Sequence, residues 1–331
     1  MRNFAYHRAT TLPEAVRLLG ANQGWQVLAG GTTMVDLLKL DVMMPPGLVD
    51  ITGISELQGL QVGGASIRFG ALARMADVGD DASLRKACPA LSESLWKAAS
   101  PQLRNSARLG GNILQRTRCP YFRDTSYACN KREPGSGCAA LDGGRTHLHA
   151  ILGGSDACVA MYPGDWAQAL IAFDAVVTAV SASGSRRILF ADLHRLPGNR
   201  PDVETTLQRG EIVTLIEVPV VPAMKGSHYL KARERESYAF ATVSAAVGMA
   251  LDGDRMTDAR IALGGVAAKP WRASAAEAVL KGQVFSEALA REAGRAAFAD
   301  AKPLKDSAYK IALGADVVAG ALLTAHQRAK G

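Results

Sequence analysis

The sequence predicts an α+β chain: two small α/β units over the first 220 residues, then a C-terminal α+β domain. Three observations carry this. Strand-like runs alternate with amphipathic stretches through the first sixty residues, and short strands and helices interleave again from about residue 59. Beyond about residue 221, long apolar strand-like runs come first and an alanine-rich helical tail follows. At 331 residues the chain exceeds one ordinary core, so packed units are expected at 1–58, 59–220 and 221–331.

In order, "FAYHRA" reads as a short strand. "TTLPEAVRLLG" then offers Thr11 as N-cap, Glu14 three residues on, an apolar stripe through Leu12, Ala15, Val16, Leu18 and Leu19, and Gly20 as the stop. "WQVLAGGTTMVDLLKL" repeats strand, glycine turn and helix, and "GLVDIT" adds a strand, which predicts a small mixed sheet. The second unit opens with "GLQVGG" and "SIRFGALARM" as strands and "ASLRKACPALSESLWKAAS" as helix. Residues 115–160 lack periodicity and are rich in Arg, Gly and Cys, a long excursion of the kind that something functional must order. "DWAQALIAFDAVVTAV" resumes as helix into strand, "GEIVTLIEVPVVP" closes the unit, and a linker is expected at Pro219 to Lys225. After it, "HYLKARERESYAFATVSAAVGMALDG" reads as two strands or a strand and a buried apolar run, and "RMTDARIALGGVAAKP" as another strand.

Hydrophobic residues make up 48% of the chain and charged ones 21%, and no stretch reaches the roughly 20 uncharged apolar residues of a membrane helix. The net charge of +7 is spread along the chain and interrupted by acidic residues, as in "KARERES", with no basic tract interleaved with stacking aromatics. Nucleic acid is therefore not the expected partner; anionic cofactors and acidic partner subunits suit the charge. The start "MRNFAYHRATTLPEA" is charged from residue 2 and lacks a secretory apolar run, so the expectation is residence in the cytoplasm or export on a partner.

"VLAGGTT" places Gly30 and Gly31 between a strand and a helix. Adjacent glycines let a backbone turn and aim its amides at an anion, and Thr32 and Thr33 add hydroxyl donors. An ordinary strand-to-helix turn is the plainer alternative, and the G-x-G-x-x-G fingerprint is absent. "QLRNSARLGGNILQ" carries a second such turn at Gly110, Gly111 and Asn112, after Arg104 and Asn105. Together the turns suit two walls around one long, doubly phosphorylated nucleotide ligand.

Four of the five cysteines, Cys119, Cys129, Cys138 and Cys158, fall in the excursion; Cys88 sits apart and reads as a small buried hydrophobe. Thiolates gathered by an irregular loop suit zinc or an iron–sulfur cluster. The gaps of nine, eight and nineteen residues lack the C-x₂₋₄-C pairs of structural zinc sites. Arg116, Arg118, Arg123, Lys131 and Arg132 surround the sulfurs and are expected to offset cluster charge. His147 and His149 are alternative ligands, though such histidines more often lie at the surface or behind the ligands. Unpaired thiols in a flexible basic loop are the bland alternative.

Read together, these motifs resemble the FAD-binding subunit of the molybdenum hydroxylases, the xanthine dehydrogenase and aldehyde oxidoreductase family, over essentially the whole chain. "VLAGGTT" resembles its first FAD loop, "RNSARLGGNIL" its second and "YPGDWAQALIAFDAVV" the segment after it. "YLKARERESYAFATVSAAVGMAL" and "ALGGVAAKPWRA" resemble its C-terminal domain. The implied fold is a two-part FAD-binding α/β region of the PCMH type plus a C-terminal domain like that of the CO dehydrogenase flavoprotein. Some fifty residues separate the Gly-Gly-Asn turn from the Pro-x-Asp segment, where most members run on almost directly. With "QRTRCPYFRDT" and "CNKREPGSGCAAL" this is similar to the FAD and [4Fe–4S] subunit of bacterial periplasmic aldehyde oxidoreductases; 4-hydroxybenzoyl-CoA reductase also has an inserted cluster. The resemblance implies that Leu28, Ala29, Gly30, Gly31, Thr32 and Thr33 hold the FAD pyrophosphate, with Arg104, Asn105, Leu109, Gly110, Gly111 and Asn112 on the cofactor's other side. It implies Asp165 at the adenosine or ribityl portion, Lys231 at the isoalloxazine edge, and Cys119, Cys129, Cys138 and Cys158 on a [4Fe–4S] cluster.

The expected function is electron transfer, from [2Fe–2S] clusters of a small subunit through FAD to an external acceptor. Substrate oxidation falls to a large molybdenum cofactor subunit, and no catalytic residue is expected here. Export with a signal-bearing partner is the expected localisation, the cytoplasm its alternative. Two competing functions are a zinc-ordered binding module and a self-contained flavin oxidoreductase; the second needs a His–carboxylate pair that the sequence does not display.

Overall fold

The computed structural model describes all 331 residues. Strand β1 (Ala5–Arg8), helix α1 (Leu12–Ala21), β2 (Gln26–Leu28), α2 (Met34–Lys39) and β3 (Gly47–Asp50) make the first unit. The Thr11 side chain accepts from Glu14 N, as its spacing predicts, while Glu14 reaches back to Thr10 N. Gly20 does not end the helix. The chain runs one residue further and Asn22 closes it, its backbone and side-chain amides both donating to Leu18 O. The sheet, in order β1-β3-β2, is wholly parallel rather than mixed, because each strand-to-strand passage crosses over through a helix.

The second sheet is antiparallel: β4 (Leu60–Gln61), β5 (Ser66–Gly70), β6 (Val176–Ser181), β7 (Gly184–Leu189) and β8 (Ile212–Pro219), in order β4-β5-β8-β6-β7. Between β5 and β6 run α3 (Met75–Asp80), α4 (Ala82–Ala87), α5 (Pro89–Trp96), α6 (Pro101–Ser106), α7 (Leu109–Ile113), α8 (Pro120–Arg123) and α9 (Trp166–Ala172); α10 (Phe190–Leu193) follows β7. The single expected helix through Cys88 is two, because Pro89 cannot continue α4 and instead opens α5. Cys88 is fully buried, its Sγ 3.6 Å from Ser227 Oγ, and burial pushes the thiol up to about 12.

The third sheet holds β9 (His228–Ala232), β10 (Val243–Asp252), β11 (Arg255–Gly264) and β12 (Trp271–Arg272), in order β12-β11-β10-β9 and antiparallel throughout. Helices α11 (Ser274–Leu280), α12 (Glu287–Ala296) and α13 (Tyr309–Lys330) cover one face. Strand β10 is one strand buried on both sides. Val243, Ala245, Val247 and Met249 pack into the core beneath the C-terminal helices, while Ala246 and Ala250 join the core of the second unit. The stretch Pro219 to Lys225 is partly ordered, with a 3₁₀ turn at Pro222–Met224 that buries Ala223 and Met224.

Candidate functional site

A cleft of about 800 Å³ opens between the first and second units. Ala29, Gly30, Gly31, Thr32 and Thr33 line one side, and Gly110 and Gly111 the other. Gly31 has φ +73°, which only glycine adopts freely, and it turns β2 into α2. Gly30 presses on the opposite wall: a Cβ there would lie 2.9 Å from the Ser106 carbonyl carbon and 3.0 Å from Ala107 Cα. Ser106 Oγ donates to Gly30 O at 2.9 Å, tying the two turns together. Helix α2 has no side-chain cap; Val35 N is taken by Gly31 O at 2.9 Å, which leaves the amides of Met34 and Asp36 without a backbone acceptor. The second turn differs. Leu109 N and Gly110 N donate to Ala73 O and Ala71 O at 3.1 and 2.8 Å, so this wall offers close backbone approach more than free donors. Gly111 faces open space, with nothing within 4 Å of a Cβ built on it.

Other expected residues stand outside this lining. Leu28 ends β2, Leu109 is core, Asn105 is exposed, and Arg104 donates to Ala98 O while lying over the Trp96 ring. Asn112 keeps a buried Oδ1 with no partner. Asp165 and Lys231 are brought together, but with each other: Lys231 Nζ donates to Asp165 Oδ2 at 2.8 Å and to Lys97 O at 2.9 Å, and Tyr229 OH donates to Asp165 Oδ1 at 2.6 Å. The pair is buried and joins the start of α9 to β9. In this arrangement the two opposite charges, buried side by side, satisfy each other, and neither residue lines the cleft.

Several cleft residues lie outside the glycine motifs. His194 is buried between the rings of Tyr162 and Phe190, with centroids 4.9 and 5.4 Å away. Its Nε2 lies 2.8 Å from Ile113 O, and a carbonyl only accepts, so Nε2 carries the proton. Nδ1 is then a bare acceptor, buried without a partner in a ring that lines the cleft, and burial pushes the imidazole down to about 4, which keeps it neutral. Arg108 also lines the cleft with an unpartnered buried Nε. Glu204 bridges Arg116 and Lys131; burial opposes its charge, but the two cations hold its carboxyl below the usual range. The signal for Arg108 was its place before Gly-Gly; His194 and Glu204 come from a stretch with no local motif.

The excursion is an ordered loop. Arg132 donates to the carbonyls of Tyr121 and Phe122, Asn130 Oδ1 accepts from Gly135 N and Gly137 N, and Cys129 and Cys138 face each other across an antiparallel bridge. All four loop cysteines line one small closed cavity with Phe122, Ala140 and His149. Cys119 Sγ lies 3.3 Å from His149 Nε2, and Cys158 Sγ accepts from Ala160 N at 3.4 Å. His149 is buried, whereas His147 is exposed. No three Cys, His, Asp or Glu side chains gather closely enough for a single metal ion. Burial pushes the Cys119 thiol up to about 12 and raises that of Cys158. The basic residues are not a halo around the sulfurs: Arg118 and Arg123 bind Asp36 of α2, and Arg116 binds Glu204. Lys131, Ala160 and Cys158 line both cavity and cleft, so one layer of residues separates the two.

Residues 2–221 match the model of the FAD binding domain in molybdopterin dehydrogenase, and residues 228–325 that of the CO dehydrogenase flavoprotein C-terminal domain. The chain belongs to the molybdopterin dehydrogenase FAD-binding family. It is 41% identical to the aldehyde oxidoreductase FAD-binding subunit PaoB of Escherichia coli, over 99% of this chain and 100% of the relative. It is 28% identical to the carbon monoxide dehydrogenase medium chain of Hydrogenophaga pseudoflava, over 98% of each. The solved carbon monoxide dehydrogenase of that organism superposes with a TM-score of 0.78 at 28% identity, covering 99% of this chain and 98% of that one. Quinoline 2-oxidoreductase of Pseudomonas putida 86, at 23% identity and a TM-score of 0.77, shares the fold.

As a member of this family the chain binds FAD, and the cleft fits it. Its volume lies in the range of cofactor sites, the Met34 and Asp36 amides at the first turn have no backbone acceptor, and Leu72, Leu114 and Tyr162 supply apolar wall. The orphaned Nδ1 of His194 is an acceptor waiting on a polar ligand.

Proposed function

We propose that this chain is the FAD-carrying medium subunit of an aldehyde-oxidising molybdenum enzyme. In this reading a large subunit holds the molybdenum cofactor and a small one the [2Fe–2S] clusters. Electrons reach this chain from the small subunit and leave through FAD to an external acceptor. The observation that carries the reading is the full-length, 41% likeness to an aldehyde oxidoreductase FAD-binding subunit, together with a cleft shaped for FAD. Bound FAD supplies a ring that takes electrons singly and releases them in pairs. The chain's residues position it: the Gly30–Gly31 turn holds the diphosphate, Gly111 allows close approach, and His194 accepts a hydrogen bond from the cofactor. The cleft's histidine is committed to a backbone carbonyl and its half-buried glutamate to two cations, an arrangement suited to holding a cofactor more than to acid–base turnover. Export with a signal-bearing partner belongs to the same proposal.

The second part of the proposal is a [4Fe–4S] cluster on Cys119, Cys129, Cys138 and Cys158. Its support is the convergence of four thiols on one closed cavity, without the tight set a single ion needs. The space between them is small, about 10 Å³, so a cluster requires the thiols to turn outward around it. The test is a visible spectrum before and after dithionite, with iron and zinc analysis and a Cys158→Ser variant. Flavin bands over a broad absorption that bleaches, with about four irons per flavin lost in the variant while FAD stays, is the expected result. Flavin without iron removes the cluster and leaves the FAD reading; zinc without flavin makes the chain a zinc-ordered module and overturns both.

A further inference from the structure

A second cavity, about 840 Å³ and open to solvent, lies on the other side of Leu72 and Arg108 from the FAD cleft. We propose that it binds a phosphate-bearing small molecule of nucleotide size, held by Arg8, Arg74 and Arg108. The reading stands apart from the iron–sulfur proposal and concerns a ligand other than FAD.

Arg74 and Arg108 face each other across an isolated antiparallel bridge. The flanking bonds run from Met75 N to Ala107 O and from Leu109 N to Ala73 O, so the arginines are a non-hydrogen-bonded pair, the kind whose side chains stand closest on one face. Like charges in that relation destabilise the pairing unless an anion lies between them. Arg74 indeed works against the charge on Arg108, though burial is the larger reason that its pKa is lowered.

The carboxylates at hand resolve this only in part. The cavity's acidic residues are Asp77 and Asp81. Asp81 is occupied as the cap of α4, accepting from Leu84 N at 2.8 Å and from the Ser83 hydroxyl. Asp77 works in favour of the charge on Arg108 and partly offsets Arg74, but it forms no ion pair with any of the three arginines. Arg8, exposed on the far wall, feels Asp50 without pairing to it. Arg108 makes one long bond, to Leu72 O at 3.3 Å, and its buried Nε has no acceptor. Three guanidinium forks around a space of ligand size, two of them forced together, match a phosphoryl group, which accepts several forks at once.

The test is calorimetric titration of the FAD-loaded full chain with inorganic pyrophosphate, against chloride at equal ionic strength, while flavin absorbance reports FAD retention. Pyrophosphate is expected to bind with FAD retained and to raise the melting temperature. Arg74→Gln is expected to weaken binding about tenfold or more, leave FAD content unchanged, and raise the melting temperature of the anion-free protein by relieving the like-charge pair. Arg8→Gln is a second variant on the opposite wall, expected to weaken binding in the same direction. Binding that occurs only as FAD leaves assigns the anion to the flavin cleft and overturns the proposal. So does absence of binding, or binding that neither variant alters. Loss of FAD from the unmodified chain would instead count against the flavin reading, so the two failures are told apart.

Discussion

Two glycines that look alike in sequence should respond differently to the same added methyl group. Gly111→Ala places a Cβ where nothing stands within 4 Å, at a backbone angle an L-residue adopts freely and inside α7. The apo fold should gain up to about 0.5–1 kcal/mol from helix propensity. The methyl, however, enters the cleft against the cofactor, and overpacking of that kind costs about 1–3 kcal/mol, or a roughly 5- to 150-fold weaker FAD affinity. Gly30→Ala behaves otherwise. Its Cβ would meet backbone, 2.9 Å from Ser106 C and 3.0 Å from Ala107 Cα, so the two walls must separate and both apo stability and FAD affinity should fall. Thermal unfolding of FAD-stripped protein measures the first quantity and quenching of flavin fluorescence on titration the second. An unchanged FAD affinity in Gly111→Ala would show that the second turn does not face the cofactor, and the two-walled site would be wrong.

Asp165→Asn strands the buried Lys231 ammonium and should cost about 3–5 kcal/mol of stability, seen as a lower melting temperature. Because neither residue lines the cleft, FAD affinity of the folded fraction should stay within twofold; a larger loss would place the pair at the cofactor. Glu93 ties α5 to β9 and α13, accepting from His228 Nδ1, Tyr229 N and Arg328. Burial opposes its charge, but these donors prevail and hold the carboxyl at about 2 against an ordinary 4.5. A depressed carboxylate stabilises above its unfolded pKa, so about 2–3 kcal/mol should drain away as pH falls from about 4.5 toward 2. Glu93→Gln should flatten that part of the stability–pH curve, and a curve of unchanged slope would refute the assignment. Asp36→Asn frees Arg118 and Arg123 and should lower FAD affinity, measured by flavin titration, together with the iron content of the proposed cluster; an unchanged FAD affinity would show that the clamp does not reach the turn.

The two glycine turns, the cysteine excursion and the N-cap of α1 were legible because each depends on local chemistry, whereas the stop expected at Gly20 falls instead at Asn22. Thr11 caps because its oxygen reaches an amide three residues away, and Gly31 turns because nothing else tolerates its φ. Sheet direction in the first two units was less legible, because pairing is set by connections rather than by the strands' own residues. The ambiguity of "VSAAVGMAL" had a physical origin as well. Burial on both faces erases the alternation that marks a strand, and β10 packs alternate residues into two different cores. Asp165 and Lys231 show a further limit. A buried acid and a buried lysine sixty-six residues apart gave no sign that each was the other's partner.

His194 and the arginine clamp show where function hides from motif reading. His194 sits in no recognisable pattern, and although Arg118 and Arg123 lie in the cysteine motif, nothing there named Asp36 as their partner; both arrangements follow from where the chain brings the residues. His194 is fixed by Ile113 O, the carbonyl that ends the helix carrying the second glycine turn, so the histidine's acceptor is aimed by the same turn that lines the cleft. Asp36 lies in the helix that begins at the first glycine turn, and it accepts from Arg118 and Arg123 on either side of Cys119. The cysteine loop is thereby tied to the helix that begins at the first glycine turn through charge-assisted hydrogen bonds of 2.7 to 2.9 Å, and the loop's Lys131 and Cys158 form part of the cleft wall directly. Flavin site and cysteine cavity are one structural unit. That is why a loop of some forty residues with almost no secondary structure can be ordered, and why its ordering and FAD binding should be measured together.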